Sequence, residues 1–191
     1  MKLVILDRDG TINSDSDDYV KTPEEWQPLP GALEAIARLN HAGWHVVIAS
    51  NQSGLGRGLF DVASLNAMHA KMHKMLAAVG GRVDAVFYCP HSPEELCNCR
   101  KPLPGLFEQI GSRFGTPLKG VPTAGDSVRD LQAGSSAGCE PHLVLTGKSA
   151  QYRSGGQPDG LPEGTLFHTD LPAFVDFILQ RSSSTLQTAP N

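Results

Sequence analysis

Residues 2–11 read KLVILDRDGT, an apolar run that leads directly into two aspartates one residue apart. Because side chains alternate along a strand, Asp7 and Asp9 project to the same side. Two carboxylates this close stay charged together only if a cation lies between them or one of them holds a proton. The stretch therefore predicts a buried first strand that ends in a Mg²⁺ site or in a nucleophile paired with a general acid. An Asp-Gly turn at a strand end is the simpler alternative.

The size and composition of the chain fit one globular domain. It has 191 residues, of which 40% are apolar and 19% are charged, values typical of a folded domain with a full core. The formal net charge of −4 disfavours a nonspecific nucleic-acid binder, which needs a basic surface. No apolar run approaches the ~20 residues of a membrane span, and the first residues lack the pattern of a secretory signal. We expect a cytoplasmic protein without nucleic-acid or membrane partners.

Strands and helices alternate along the chain. Apolar runs predict strands at 3–6, 45–50, 83–89, within 120–126, at 142–146 and at 165–168. Helical periodicity predicts helices at 30–40, 61–79, 104–114, 127–137 and 170–180, with Met68, Met72, Met75 and Leu76 packing in the core. This alternation predicts an α/β fold, a parallel sheet with helices on both faces. We expect a single domain over 1–181, a surface loop at 147–163 and a loose tail at 182–191.

Polar side chains follow four of the predicted strands. In strand order they are Asp7 and Asp9; Ser50, Asn51 and Gln52; Arg100 and Lys101; and Asp126 and Asp130. Ligands bind beyond the carboxyl ends of the strands in an open parallel sheet, so we expect these residues to share one site. Together, acids, a hydroxyl and an amine favour phosphoryl transfer, a reaction that depends on charge neutralisation and positioning.

Each of these groups has a role in such a reaction. Asp7 attacks phosphorus to form an aspartyl-phosphate, while Asp9 protonates the leaving oxygen and later takes a proton from water. Mg²⁺ is expected on the Asp7 side chain, the Asp9 backbone carbonyl and the Asp126 side chain. Ser50, Lys101 and backbone amides near residue 51 are expected to hold the phosphoryl oxygens. The alternative for Asp126 is a helix N-cap, because it precedes a helical pattern.

A second cluster of chemically active residues lies in the segment CPHSPEELCNC at 89–99. Its four potential ligands are Cys89, His91, Cys97 and Cys99. Three thiolates and one imidazole form a closed tetrahedral set, which is typical of structural Zn²⁺. We expect zinc to hold this loop and thereby to fix Arg100 and Lys101 at the mouth of the site. The remaining cysteine, Cys139, is predicted to be a small buried thiol.

Several segments together resemble the haloacid dehalogenase (HAD) type phosphatases: LDRDGTIN, SNQSGLGRG, the cysteine-histidine loop with RKPLPG, GDSVRD and LTGK. They cover about residues 3–148, and within that superfamily the chain is similar to the small zinc-bearing bisphosphatases. The resemblance implies a Rossmann-like HAD fold without a large cap domain. It also implies a nucleophile at Asp7, a general acid and base at Asp9, Mg²⁺ at Asp7, Asp9 and Asp126, and phosphoryl stabilisation by Ser50 and Lys101.

The resemblance further implies a sugar bisphosphate as the substrate. The expected reaction is removal of the 7-phosphate from a heptose 1,7-bisphosphate of the β configuration, on the route to the lipopolysaccharide core. The residues implied to recognise the substrate are Asp15 to Tyr19, Asn51, Gln52, Ser53 and Arg100. A second, distal phosphate needs a cation outside the catalytic group, and Arg57, Arg100 and Lys148 are candidates. We expect a monomer.

Three other functions remain open at this stage. The five residues between His91 and Cys97 match the short loop of histidinol-phosphate phosphatases, whose cationic substrate needs extra carboxylates; Asp15, Asp17, Asp18, Glu94 and Glu95 could supply them. A receiver-type signalling module also uses acids, a hydroxyl and a lysine, but its acceptor follows a later strand and it needs no zinc loop. A nucleic-acid 3′-phosphatase lacks its basic groove here. Ser127 stands where some relatives carry lysine, so one substrate contact differs.

Overall fold

The computed structural model describes the backbone of residues 1–187 and the side chains of residues 1–183. Six strands form one parallel sheet in the order β3-β2-β1-β4-β5-β6. The strands are β1 Leu3–Leu6, β2 His45–Asn51, β3 Ala85–Cys89, β4 Pro122–Gly125, β5 Glu140–Val144 and β6 Leu166–His168. The helices are α1 Ala32–His41, α2 Ser53–Gly56, α3 Val62–Ala78, α4 Gly105–Phe114, α5 Val128–Ser136 and α6 Leu171–Gln187, with a 3₁₀ helix at Gly147–Ser154.

The core has two layers, one on each face of the sheet. Alternation along β1 sends Val4 and Leu6 to the face that α1, α3 and α6 cover, where Phe174 is fully buried. Leu3 and Ile5 point to the other face, which α4 and α5 cover with Phe107 at its centre. Both faces of the central strands are therefore apolar, as a doubly covered parallel sheet requires. The predicted α/β fold with helices on both faces is confirmed.

The methionine stripe of α3 packs as predicted. Met68, Met72 and Leu76 are completely buried, and Met75 is partly buried against the same core. Among the described residues no insertion forms a separate cap domain, which agrees with the fold that the resemblance implies. No helix in this part of the chain combines the length and apolarity of a membrane span.

Several predicted boundaries were wrong. β5 begins at Glu140, two residues before the predicted strand, because its register with β4 starts at Pro122 opposite Glu140. The 3₁₀ helix occupies the first half of the predicted surface loop, and the short helix α2 was not predicted. α6 continues through Gln187, so residues 182–187, predicted as loose tail, are helical. The rest of that predicted tail, 188–191, lies outside the described residues.

Candidate active site

A cavity of about 350 Å³ lies at the carboxyl edge of the sheet, where β1, β2 and β4 end. The predicted site residues that line it are Asp7, Asp9, Asp15, Tyr19, Asn51, Gln52, Ser53, Arg57, Arg100, Lys101 and Asp126. Parallel strands end at the same edge, so the separated motifs of the sequence meet here. Ser50 is buried and is not among the lining residues.

Lys101 is the buried cation at the centre of the cavity. Its Nζ lies 2.7 Å from Asp7 Oδ1 and 2.6 Å from Asp130 Oδ1, and it donates to the Ala49 carbonyl at 2.7 Å. Burial alone lowers the pKa of Lys101, but the neighbouring carboxylates Asp130 and Asp7 outweigh it and raise the pKa above the usual range. The ammonium therefore remains charged at the floor of the site.

Asn51 positions Lys101 through the backbone. The Asn51 side chain donates to the Lys101 carbonyl at 3.1 Å and accepts from the Lys101 N–H at 3.0 Å. This two-point contact joins the end of β2 to the loop that follows β3. Asn51, in the predicted segment 51–53, thus holds Lys101 in place, and the segment also lines the cavity.

Three carboxylates converge beside Lys101. Oxygens of Asp7, Asp126 and Asp130 all lie within 4.8 Å of one another. Burial raises the pKa of Asp7 to about 7, with Asp130 adding to the shift and Lys101 opposing it. Burial, Asp130 and Asp7 likewise raise the pKa of Asp126 well above its usual range. Asp130 is the member of this group that was not predicted as a metal ligand.

The carboxylate cluster fits Mg²⁺. Three carboxylates against one ammonium leave an excess of two negative charges, which a divalent cation neutralises. All the donors are oxygens, and the edges of a Mg²⁺ octahedron, roughly 3 Å long, lie within the spacing found here. The side chain of Asp9 is outside this group. Its predicted metal contact is the backbone carbonyl.

Asp9 is held by hydrogen bonds on both oxygens. Arg8 Nη2 and Asn13 Nδ2 donate to its Oδ1 at 2.8 and 2.9 Å, and Gln52 Nε2 donates to its Oδ2 at 2.8 Å. Burial raises the pKa of Asp9, but the Arg8 guanidinium and the Asn13 amide outweigh it and lower the pKa below the usual value. Gln52 Nε2 also donates to Ser50 Oγ at 2.8 Å, which links the predicted hydroxyl to this network.

Asp126 is placed by three loops that meet at the end of β4. The Lys148 N–H donates to Asp126 Oδ2 and the Ser149 hydroxyl donates to the Asp126 carbonyl, both at 2.7 Å. Gly10 has φ +82°, and a Cβ there would overlap the Asp126 carboxylate, so only glycine lets the first loop pass this close. These contacts direct the Asp126 carboxylate toward the Asp7 loop.

The helix-capping alternative for Asp126 is wrong. Ser127 is the N-cap of α5, and Asp130 Oδ2 accepts from both the Ser127 N–H at 3.0 Å and the Ser127 hydroxyl at 2.7 Å. The Ser-x-x-Asp pattern at 127–130 is a capping-box signal that the sequence already contained. Asp130 thus caps α5 through its Oδ2 and contacts Lys101 through its Oδ1.

Four cations surround the mouth of the cavity: Arg57, Arg100, Arg129 and Lys148. Arg57 Nη2 lies 3.4 Å from Glu94 Oε1, and Lys148 Nζ lies 3.3 Å from Asp15 Oδ2. Arg100 Nη1 is buried and has no hydrogen-bond partner in the described part of the chain. Arg129 was not predicted as a site residue, because its place depends on how α5 packs.

The predicted zinc ligands lie together beside the cavity. Cys89 Sγ and Cys99 Sγ are 3.4 and 3.3 Å from His91 Nδ1, and Cys89 Sγ is 3.9 Å from Cys97 Sγ. The edges of a tetrahedron with Zn–S near 2.3 Å and Zn–N near 2.0 Å are roughly 3.5–3.8 Å long. The four ligand atoms therefore fit Zn²⁺. The three cysteines of this loop and Cys139 form no disulfide.

The fold and this site together define a phosphatase of the HAD superfamily. An aspartate pair follows β1, a buried lysine follows β3 and two aspartates follow β4, all at one edge of a parallel sheet. The family model described as polynucleotide kinase 3 phosphatase matches residues 2–129, and one described as HAD-hydrolase-like matches residues 98–163.

Relatives with known names narrow the assignment. The D-glycero-β-D-manno-heptose-1,7-bisphosphate 7-phosphatase of Bordetella bronchiseptica is 57% identical over 95% of this chain and 100% of that protein. That of Pseudomonas aeruginosa is 52% identical over 93% and 98%. The crystal structure of D,D-heptose 1,7-bisphosphate phosphatase from B. bronchiseptica complexed with magnesium and phosphate superposes with a TM-score of 0.90 at 57% identity, covering 95% of this chain and 99% of that one. The chain therefore belongs to the phosphatase family of the first model and, within the HAD superfamily, to the heptose 1,7-bisphosphate 7-phosphatases.

Proposed function

We propose that the chain hydrolyses the 7-phosphate of D-glycero-β-D-manno-heptose 1,7-bisphosphate with Mg²⁺ as its cofactor. The observation that carries this proposal is the separation of charge in the cavity. One buried lysine serves the carboxylate cluster, while Arg57, Arg100 and Lys148 lie at the mouth, where a second phosphate can bind. The relatives at 57% and 52% identity carry this activity in their names.

The reaction proceeds in two displacements at phosphorus, and Asp7 is the nucleophile of the first. When the anionic phosphoryl group binds beside Asp9, it raises the pKa of that carboxyl group, so Asp9 holds a proton in the substrate complex. In the first displacement, an Asp7 oxygen forms a bond to phosphorus, the bond from phosphorus to the sugar oxygen breaks, and that oxygen takes the proton from Asp9. In the second, water attacks phosphorus and gives its proton to Asp9, and the bond to Asp7 breaks to release inorganic phosphate. Lys101, 2.7 Å from Asp7, stabilises the negative charge of the transferring group.

The side chains of Asp7, Asp126 and Asp130 would hold Mg²⁺, which would supply charge neutralisation during transfer and would let Asp7 remain an anion despite its burial. Ser50 has a supporting part, because its hydroxyl accepts from the same Gln52 amide that holds Asp9. Asn51 maintains the position of Lys101 through the paired backbone contacts.

Recognition of the sugar falls to the loops at the mouth. Asp15, Tyr19 and Ser53 line the cavity and can contact sugar hydroxyls. Arg100 offers to a phosphate oxygen its buried Nη1, which has no hydrogen-bond partner among the described residues. Arg129 adds a cation near Ser127, the position at which some relatives carry lysine.

The zinc site is part of this proposal in a structural role. Cys89, His91, Cys97 and Cys99 would hold Zn²⁺ with four protein ligands and no open position, so the metal would stabilise the loop and would not bind the substrate. Arg100 and Lys101 follow the last ligand directly and depend on that loop for their positions. We further propose that the chain is a monomer, that it acts in the cytoplasm as a single domain that includes α6, and that it supplies lipopolysaccharide core synthesis.

The histidinol-phosphate phosphatase and receiver alternatives have less support. A histidinol-phosphate phosphatase would offer carboxylates to the amine of its substrate, but a cation lies beside two of them here. Lys148 Nζ is 3.3 Å from Asp15 and Arg57 Nη2 is 3.4 Å from Glu94, and both would repel an amine. The relatives named above are sugar bisphosphatases. Neither observation favours a receiver module.

The test is phosphate release with Mg²⁺ from four compounds side by side: the β and α anomers of heptose 1,7-bisphosphate, fructose 1,6-bisphosphate and histidinol phosphate. We expect kcat/KM to be about 100-fold higher for the β heptose than for histidinol phosphate, equivalent to ~2.7 kcal/mol of transition-state binding. Arg57→Ala should lower kcat/KM for the heptose bisphosphate more than kcat/KM for histidinol phosphate, because histidinol phosphate has no second phosphate. Preference for histidinol phosphate would contradict the proposal.

A further inference from the structure

Arg8 lies between the two aspartates of the first motif, and its side chain is completely buried. Its Nε and Nη2 donate to Asp9 Oδ1 at 3.1 and 2.8 Å, and Nη2 also donates to Asp9 Oδ2 at 3.0 Å. A planar guanidinium that contacts both oxygens determines the orientation of a carboxyl group as well as its position. Arg8 is the one charged group among the three side chains, with Asn13 and Gln52, that donate to Asp9 in the described part of the chain, and it contacts both oxygens.

The third nitrogen of Arg8 is held by a residue of another element. Arg8 Nη1 lies 3.2 Å from Nε2 of His69, a half-buried residue on α3. Arginine has donors but no acceptor, so His69 Nε2 accepts, and the ring is neutral with its proton on Nδ1. In the described part of the chain, His69 is the one side chain within hydrogen-bond distance of Nη1.

The surroundings of His69 keep its ring in this accepting form. Burial lowers the pKa of His69 to about 4, and the nearby Arg8 guanidinium adds to the shift. The ring also packs at a tilted angle against Tyr88 of β3, with 6.4 Å between centroids. Two independent contacts therefore fix the imidazole, one polar and one aromatic.

We propose that His69 is a positioning residue for phosphoryl transfer: it holds the Arg8 guanidinium, which in turn orients the Asp9 carboxyl group toward the leaving oxygen. The inference rests on the proposed role of Asp9 as general acid. Without the His69 acceptor, Arg8 Nη1 is a buried donor without a partner, so the guanidinium rotates to find one and Asp9 moves with it. A general acid displaced by about 1 Å transfers its proton much less well.

The test uses the dependence of general-acid catalysis on the leaving group. A sugar alkoxide leaves only with a proton, whereas p-nitrophenolate leaves readily without one. A residue that orients the general acid therefore affects sugar phosphates more than p-nitrophenyl phosphate. The quantity to compare is kcat/KM, because it covers steps only up to leaving-group departure and excludes hydrolysis of the phospho-Asp7 enzyme.

The informative pair of variants is His69→Met and His69→Gln. The two new side chains have nearly the same shape, but only glutamine has a strong hydrogen-bond acceptor. For the β heptose bisphosphate we expect His69→Met to lower kcat/KM about 10-fold, and for p-nitrophenyl phosphate only about 2-fold. His69→Gln should recover most of the loss on the sugar. The matched control is His73→Met, an exposed histidine one turn further along α3, which should change neither value.

Three results would overturn the inference: equal losses of His69→Met on both substrates, no loss on the sugar, or a loss in His69→Gln as large as in His69→Met. Thermal unfolding establishes that each variant folds, and His69→Leu replaces His69→Met if the latter does not. If the wild-type chain hydrolyses fructose 1,6-bisphosphate or histidinol phosphate but not the heptose bisphosphate, the proposed substrate fails. The comparison is then made on the alkyl phosphate that is turned over, so the two failures are distinguishable.

Discussion

At the scale of single residues, Asp7 is the proposed nucleophile. Asp7→Asn keeps the shape of the side chain but removes the nucleophile, so we expect kcat/KM to fall by at least about 10³-fold. Asn accepts from Lys101 as the carboxylate does, so thermal unfolding without Mg²⁺ should change by only a few degrees. Phosphate release and thermal unfolding measure the two effects. Retention of a tenth of the activity would show that Asp7 is not the nucleophile.

Substitution of Asp130 tests the metal site separately from the general acid, Asp9. Its oxygen lies in the cluster with Asp7 and Asp126, whereas the side chain of Asp9 does not. Asp130→Asn should therefore weaken Mg²⁺ binding about 10- to 100-fold. Asp9→Asn should abolish most turnover and leave Mg²⁺ binding nearly unchanged.

Titration calorimetry with Mg²⁺ on both variants makes this comparison without relying on activity. A loss of Mg²⁺ binding in Asp9→Asn, with normal binding in Asp130→Asn, would mean that the Asp9 side chain is a ligand and Asp130 is not.

A search for polar residues that directly follow predicted strands finds the site residues whose position depends on the sheet alone. Asp7, Asp9 and Asp126 directly follow strands, and Lys101 follows a strongly patterned loop, so the parallel sheet brings them together. Asp130 was seen after the fourth strand, but its capping contact and its Lys101 contact use different oxygens of one carboxylate. Sequence spacing does not reveal such a double role. The contact from His69 to Arg8 spans 61 residues and depends on the packing of α3.

At the scale of elements, the loop at 89–99 depends on its metal. We expect one zinc per chain. Cys97→Ser should lose zinc, lower the unfolding temperature and raise KM, because Arg100 and Lys101 follow this loop. The matched control is Cys139→Ser, which replaces a buried thiol outside the loop and should keep the zinc.

Metal analysis by mass spectrometry, thermal unfolding and KM together decide this prediction. Zinc content far below one per chain in the wild type, or an unchanged content in Cys97→Ser, would contradict the structural-zinc proposal.

The boundaries of strands and helices were predictable where the apolar pattern is strong. They were less predictable where polar side chains form hydrogen bonds within a helix. The strands at 3–6 and 45–50 and the helix at 104–114 agree with the structure to within two residues. The end of α6 was placed too early because the serine run after Arg181 reads as a helix stop. In the structure, Ser182 and Ser183 donate to the Ile178 and Leu179 carbonyls, so these hydroxyls are satisfied along the helix.

At the scale of the whole molecule, a buried histidine pair links stability to pH. His142 Nδ1 lies 2.9 Å from His168 Nε2, and Phe174 and Phe177 pack around both rings. Burial and the neighbouring His168 lower the pKa of His142 to about 4, and burial lowers that of His168. As the pH falls below 6.5 the unfolded chain binds a proton that the folded chain does not, so stability falls until about pH 4.

The shift at His142 corresponds to about 3 kcal/mol over this range. Urea unfolding of the wild type and of His142→Phe at pH 7 and pH 5 measures the part of this energy that is lost above pH 5, about 2 kcal/mol. Comparing the two chains cancels the effects of metal loss. The variant should lose distinctly less stability on acidification. An equal loss in both chains would show that the histidine pair does not titrate in this range.

The central claim is that this chain removes the phosphate at position 7 and leaves the one at position 1. The most direct measurement is ³¹P NMR of the products from β-heptose 1,7-bisphosphate, with wild-type chain and Mg²⁺. The account predicts inorganic phosphate and one remaining sugar phosphate whose signal couples to the anomeric proton, with no turnover by Asp7→Asn. A remaining 7-phosphate, or no phosphate release from this substrate, would contradict it.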